Sequence, residues 1–245
     1  MPLRIGFDMD GVLADLNAAL AREALRLFPG IEATASPVAG TLAPAANDPD
    51  AAGGDPAEVS PASLQLTRKQ ERALWDAVKG IDNFWETLDE TEPGIVARLH
   101  ETARARRWEV IFLTSRPRSA GDIVQLQSQR WLERRGFSFP SLYVVSTSRG
   151  RIAQALELDV VVDDRPENCL DVALDSKARA ILIWRGDEGG VPTSARRLGI
   201  GGVSTVAACL DLLVEADSAG SGEGGFMGRL RKLLRLKPAA EPSRA

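Results

Sequence analysis

The sequence predicts an α/β protein built on a doubly wound parallel sheet, and three observations carry that expectation. From Pro93 onward, short apolar runs alternate with helical patterns at regular spacing, as parallel strands covered by helices do. The runs Leu3 to Phe7, Val110 to Leu113, Leu142 to Val145, Val160 to Val162 and Ala180 to Trp184 show no polar alternation, which suits strands buried on both faces. The first, second and fourth of these runs lead into Asp8, Thr114 and Asp163-Asp164. Right-handed crossovers place function at such carboxyl ends of the central strands.

After the first strand, Asp15 is positioned to cap a helix from Leu16 to Phe28, with Leu16, Leu20, Ala24 and Leu27 as its apolar stripe and Pro29-Gly30 as its stop. Alanine, proline, glycine and serine then dominate residues 32 to 63 with no hydrophobic period, the composition of a loosely held loop. Thr67 with Gln70 reads as a capping box opening a helix that carries Leu74, Trp75 and Val78 and stops at Gly80. Ile81 to Trp85 is an aromatic-bearing connector. Further helices are expected over Pro93–Arg107, Gly121–Arg135 closed by Gly136, from Ser146–Gly150 onward, over Glu167–Asp175, and from Ser204 to about Glu215.

The chain has 245 residues, 44% hydrophobic and 26% charged, with a net charge of −4. That length allows one sizeable domain with an insertion, and the acidic balance gives no reason to expect a nucleic-acid polymer as partner. Cys169 and Cys209 stand in no metal or redox spacing. With no signal-peptide pattern and no membrane-length apolar run, a reduced, cytoplasmic protein is expected.

The chemistry centres on Asp8-Met9-Asp10-Gly11. Alternate side chains of an extended segment point the same way, so Asp8 and Asp10 can face one pocket beyond the strand end. Converging carboxylates repel unless a cation sits between them, and Mg²⁺ with oxygen ligands is the usual answer. Taken alone, the pattern also fits a plain acidic turn. Thr114 at the end of the second strand and Asp163-Asp164 at the end of the fourth bring more such residues to the same sheet edge.

With DMDG at Asp8–Gly11, LTS at Leu113–Ser115, a basic residue at Arg149 and VVVDD at Val160–Asp164, the chain resembles the haloacid dehalogenase superfamily, whose members mostly hydrolyse phosphate esters on a Rossmann-like core. The resemblance implies that Asp8 is the nucleophile and Asp10 the general acid and base. It implies Mg²⁺ held by the Asp8 carboxylate, the Asp10 main-chain carbonyl and Asp164, with Asp163 nearer the periphery. Thr114 would donate to the phosphoryl group, and Arg149 would balance charge where the family usually has lysine. Arg151 competes with Arg149 for that role, and the distance to Asp163 favours Arg149. Ser115 is a candidate for contact with substrate, and Arg116 and Arg165, directly after motif residues, could each reach a substrate anion or equally buttress the Asp pairs.

The same resemblance makes residues 1–15 and 91–216 the catalytic core and 16–90 a small helical cap that chooses the substrate. DMDGVLAD, Asn83-Phe84-Trp85, FLTSRP and VVDDRPEN are similar to the 5′(3′)-deoxyribonucleotidase branch, where cap aromatics stack on the base. Phe84 and Trp85 are the candidates for that contact, or else cap core. The expected substrate is a small phosphorylated metabolite: a (deoxy)nucleoside monophosphate, with sugar phosphates and other phosphomonoesters as the alternative. Phosphotransfer to another acceptor and a non-catalytic binding protein of the same fold are the rival functions. His100 and Cys169 are assigned no chemistry. Residues 217–245 read as a linker and basic tail, in which Phe226, Leu230, Leu233 and Leu234 share a helical face among Arg229, Arg231, Lys232, Arg235 and Lys237. Such a helix suits weak contact with an anionic membrane surface or a partner, or a frayed soluble tail.

Overall fold

A computed structural model describes residues 2–31, 64, 66–145, 147–186, 192–218 and 225–234. The low-complexity stretch 32–63 lies outside the described residues, as do Arg235 and Lys237 of the tail. At the centre is β1 (Arg4–Asp8), flanked by β2 (Glu109–Thr114) and β4 (Val160–Asp163). With β3 (Ser141–Val144), β5 (Arg179–Ile183) and β6 (Gly201–Val203) the sheet order is β3-β2-β1-β4-β5-β6, every pair parallel. The order reverses between β1 and β4, which opens a crevice at their carboxyl ends.

Side-chain alternation sorts the strands into two apolar layers. Ile5, Phe7, Phe112, Val160, Val162 and Ile181 pack on one face, against α3 (Ile95–Arg106), α4 (Val124–Arg134) and α8 (Val206–Ser218). Ile111, Leu113, Val161, Ala180 and Leu182 pack on the other, against α5 (Arg149–Ala155), α6 (Pro166–Asp175) and α7 (Thr193–Arg197). Helices on both faces are the expected consequence of strands with no polar side. The α/β, Rossmann-like architecture expected from the sequence is thus the one observed.

The segment between β1 and α3 leaves and returns at one point. The Asp15 N–H donates to the Asp89 carbonyl (2.9 Å) and the Thr91 N–H to that of Leu13 (2.8 Å). In between, α1 (Leu16–Leu27) is capped by Asp15, and α2 (Arg68–Lys79) by the Thr67–Gln70 capping box. The returning 3₁₀ turn Phe84–Glu86 is fastened to α4. Gln127 accepts from the Trp85 N–H (3.1 Å), Arg134 pairs with Glu86 (2.6 Å), and the Trp131 indole donates to the Leu88 carbonyl (2.7 Å).

Three elements depart from expectation. β6 and α7 have no counterpart among the expected elements; β6 is a three-residue edge strand with two glycines and carries no apolar run. The tail forms α9 (Gly225–Leu233), whose apolar face packs on its own chain: Leu230 is fully buried, and Phe226, Leu233 and Leu234 lie against the core. The face offered by sequence to a membrane or partner is therefore occupied intramolecularly.

Candidate active site

β1 delivers Asp8 to the crevice, and the chain then turns sharply. The N–H groups of Leu13 and Ala14 both donate to the Met9 carbonyl (2.8 Å each), and that of Gly11 donates to Ala14 (2.9 Å). Gly11 has φ +83°, and a Cβ there would lie 2.0 Å from Asp164 Oδ2. The turn thus presses its backbone against Asp164, a closeness only glycine permits. Arg185, just past β5, donates to the Gly11 and Val12 carbonyls and pairs with Glu92 (3.4 Å). Glu92 in turn accepts from the N–H groups of Val206 (2.6 Å) and Ala207 (2.9 Å) at the start of α8.

Asp8 and Asp163 end adjacent strands and share the cation of Arg149. Its Nη2 donates to Asp8 Oδ1 at 2.6 Å, and its Nε lies 3.7 Å from Asp163 Oδ2. Local chemistry at the α5 N-terminus puts Arg149 there. Ser148 caps the helix by accepting from the Arg151 N–H (3.2 Å), while Asp171 of α6 accepts from Ser148 Oγ (2.7 Å) and the Gly150 N–H (3.0 Å). Gly150 lets the two helices touch, since a Cβ there would sit 2.3 Å from the Asp171 carbonyl. Arg151, the competing candidate, is exposed.

The adjacent Asp163 and Asp164 have different surroundings. Asp163 is satisfied by the Arg165 N–H (2.9 Å) and the Asn168 amide (3.1 and 3.0 Å). Asp164 Oδ1 is buried without a hydrogen-bond partner, as is Arg149 Nη1. Burial and mutual repulsion act on the acids together. Asp8 is pushed well above the usual carboxylate range by burial first and then by Asp163, with Arg149 opposing. Asp163 is raised by burial against the pull of Arg149, and Asp164 is raised to about 8 by burial and by Asp163. Such a site favours a bound cation.

Asp10 faces a different cluster. Thr114 Oγ1 is 3.4 Å from its Oδ2, and Arg116 takes both carboxylate oxygens, with Nε at 3.0 and 2.9 Å and Nη2 at 2.7 Å from Oδ1. Arg116 also donates through Nη1 to Ser128 Oγ (2.9 Å) and lies over the Trp85 ring at 4.9 Å. Its side chain is 0% exposed, so the expectation of contact with substrate gives way to an inward one with Asp10. Phe84 and Trp85 are likewise 2% and 1% exposed, packed edge to face at 5.1 Å, with the Trp85 indole donating to the Pro117 carbonyl (3.0 Å). Neither ring presents a face to a base, which corrects the expectation of stacking. Ser115 is half-buried next to Thr114, and the Arg165 guanidinium sits 3.9 Å from Glu167. His100 packs against Phe137, and Cys169 is buried in α6.

Sequence reasoning missed Ser128, Asn168, Asp171 and Arg185. Asn168 alone carried a local signal, five residues beyond Asp163 and on the turn of α6 that follows it. Among the described residues no three side-chain ligands form a ready-made metal cage. The donors that fit Mg²⁺ are the Asp8 and Asp164 carboxylates with a main-chain carbonyl, in keeping with an ion that retains several waters and needs one or two carboxylates.

No family model and no curated protein matches this sequence. Solved structures do. A hydrolase from Pseudomonas syringae is 18% identical, covering 90% of this chain and 100% of its own, with a TM-score of 0.47. A Thermotoga maritima protein assigned as a beta-phosphoglucomutase is 17% identical over 87% of this chain and 99% of its own, with a TM-score of 0.50. CbbY from Rhodobacter sphaeroides, solved with xylulose-1,5-bisphosphate, is 18% identical over 75% and 87%, with a TM-score of 0.38. At this identity, the likeness to the T. maritima protein shows a shared fold.

Proposed function

We propose that this protein is a Mg²⁺-dependent phosphomonoester hydrolase of the haloacid dehalogenase type. The observation that carries the reading is the buried Asp8 at the end of the central strand, held by Arg149 and followed two residues later by Asp10 on a separate hydrogen-bond cluster. Asp8 Oδ1 is engaged by Arg149, which leaves Oδ2 to attack phosphorus. As the Asp8–phosphorus bond forms, the bond to the leaving alcohol breaks and Asp10 delivers a proton to that oxygen. Asp10 then takes a proton from the water that splits the acyl phosphate. Arg149 Nη1, buried and unpartnered, is suited to donate to the phosphoryl oxygens and balance their negative charge, and Thr114 supplies a hydroxyl beside Asp10. Asp8, Asp164 and the Asp10 carbonyl would hold Mg²⁺, with Asp163 behind them. The ion, when bound, supplies charge neutralisation of the phosphate.

For substrate, the burial of Phe84 and Trp85 removes the stacking surface on which a nucleoside monophosphate reading depends. A small phosphorylated metabolite is the reading we favour. Sugar phosphates are the first class to test, because the T. maritima protein of this fold is described as a phosphoglucomutase.

The test is phosphate release from a panel of sugar phosphates and (deoxy)nucleoside monophosphates with Mg²⁺, beside Asp8→Asn. Release by the wild type and none by the variant is expected. A phosphorylated acceptor in place of free phosphate would assign phosphotransfer. No turnover of any ester by folded wild type would leave the fold as a binding module.

A further inference from the structure

We propose that Arg116 is the positioning residue for Asp10, an inference that rests on the acid–base role proposed for Asp10. The geometry is specific to this side chain. A planar guanidinium engages the carboxylate through two of its nitrogens, with contacts of 2.7 to 3.0 Å, and so fixes both the place and the plane of the group. Thr114, the other neighbour, is at 3.4 Å and cannot set the orientation by itself.

Arg116 is held in turn from two directions. Ser128 on α4 accepts from Nη1 (2.9 Å), and the Trp85 ring covers the guanidinium. Trp85 is itself tied to Gln127 and to the Pro117 carbonyl. The orientation of Asp10 is thereby tied, through Arg116, to α4 and to the segment returning from the insertion. Arg149 serves Asp8 and Asp163 from α5, which packs on the other face of the sheet from α4. The site therefore contains two arginines with separate duties, one for the nucleophile and one for the proton carrier.

This predicts a dependence on leaving group that mere damage to the fold does not produce. Proton delivery matters more for a basic leaving group than for an acidic one, so a misplaced Asp10 penalises phenyl phosphate more than p-nitrophenyl phosphate, two esters of nearly the same shape. Steady-state kinetics of Arg116→Ala, Arg116→Lys and Asp10→Asn on both esters, with folding monitored by circular dichroism, make the comparison. Arg116→Ala should lose about 10²-fold in kcat on phenyl phosphate and clearly less on p-nitrophenyl phosphate, following Asp10→Asn in direction, with partial rescue by lysine. Equal losses on the two esters, or wild-type kinetics, would overturn the assignment. If Arg116→Ala does not fold, Arg116→Lys decides. An ammonium cannot reproduce the two-nitrogen grip, so a selective loss on phenyl phosphate supports the role and wild-type values overturn it. Failure of the wild type to hydrolyse either ester, or activity surviving in Asp8→Asn, would instead strike at the proposed reaction.

Discussion

Gly11→Ala tests whether the turn after β1 and Asp164 form one device. A Cβ at Gly11 would lie 2.0 Å from Asp164 Oδ2 and 2.6 Å from its Cγ, whereas ordinary contact begins at 3.4 Å. The carboxylate, or the turn, must therefore move by the difference, 1.4 Å. A misplacement of about 1 Å at a reacting centre costs roughly 10²-fold in rate. The φ of +83° adds strain, about 1–2 kcal/mol for a residue with a Cβ, or about 2–8 °C in Tm for a chain of this size. Gly94 supplies the control, since its φ is +78° and nothing lies within 4 Å of its Cβ direction. Gly94→Ala should show the same modest Tm loss with wild-type turnover. Phosphate release and thermal unfolding of both variants are the assay. If Gly11→Ala folds and turns over like Gly94→Ala, Asp164 has no place in the reaction and the reasoning fails.

Three further outcomes follow from the same geometry. In Gly150→Ala the new Cβ meets the Asp171 carbonyl at 2.3 Å and Asp175 Cβ at 2.7 Å, so α5 must lift from α6 and take Arg149 with it; about 1–3 kcal/mol of stability and most of the turnover should be lost, as read by unfolding curves and phosphate release. Asp164 keeps its proton to about pH 8 in the folded chain against 3.8 unfolded, so without metal this group lowers stability as pH rises through that interval. Mg²⁺ needs ionised ligands and should raise Tm more at pH 8 than at pH 5; equal increments would count against Asp164 as a ligand. Leu230→Asp puts a charge at a fully buried position and should release α9, seen as faster proteolysis near residue 225 with turnover unchanged.

How far these positions could be read from sequence depended on whether the signal was local. A strand buried on both faces declares itself as an apolar run, and β1, β2, β4 and β5 all do so. β6 could not, because Gly201 is required by its neighbour rather than by its own strand: a Cβ there would sit 2.5 Å from Leu234. The helical tail showed the converse limit. An amphipathic face states that something must cover it, but the partner surface, α8 and the β6 edge, is assembled only by the fold.

The site divides along the same line. Asp8 and Asp163 were legible because strand ends fix their register, whereas the roles of the flanking cations were not. Arg116 follows Thr114 by two residues, and sequence alone left it free to turn outward to a substrate anion or inward to Asp10. The inward choice is made by Ser128, twelve residues away on α4, and by Trp85 from the other side of the insertion. A buried cation needs a partner for its charge and acceptors for its remaining donors, and Asp10 with Ser128 supplies both. The expected aromatic contact went astray for the same reason. Trp85 does meet a π-seeking group, but the group is the protein's own guanidinium, so the ring that looked like a sensor for the substrate is part of what holds Asp10 in place.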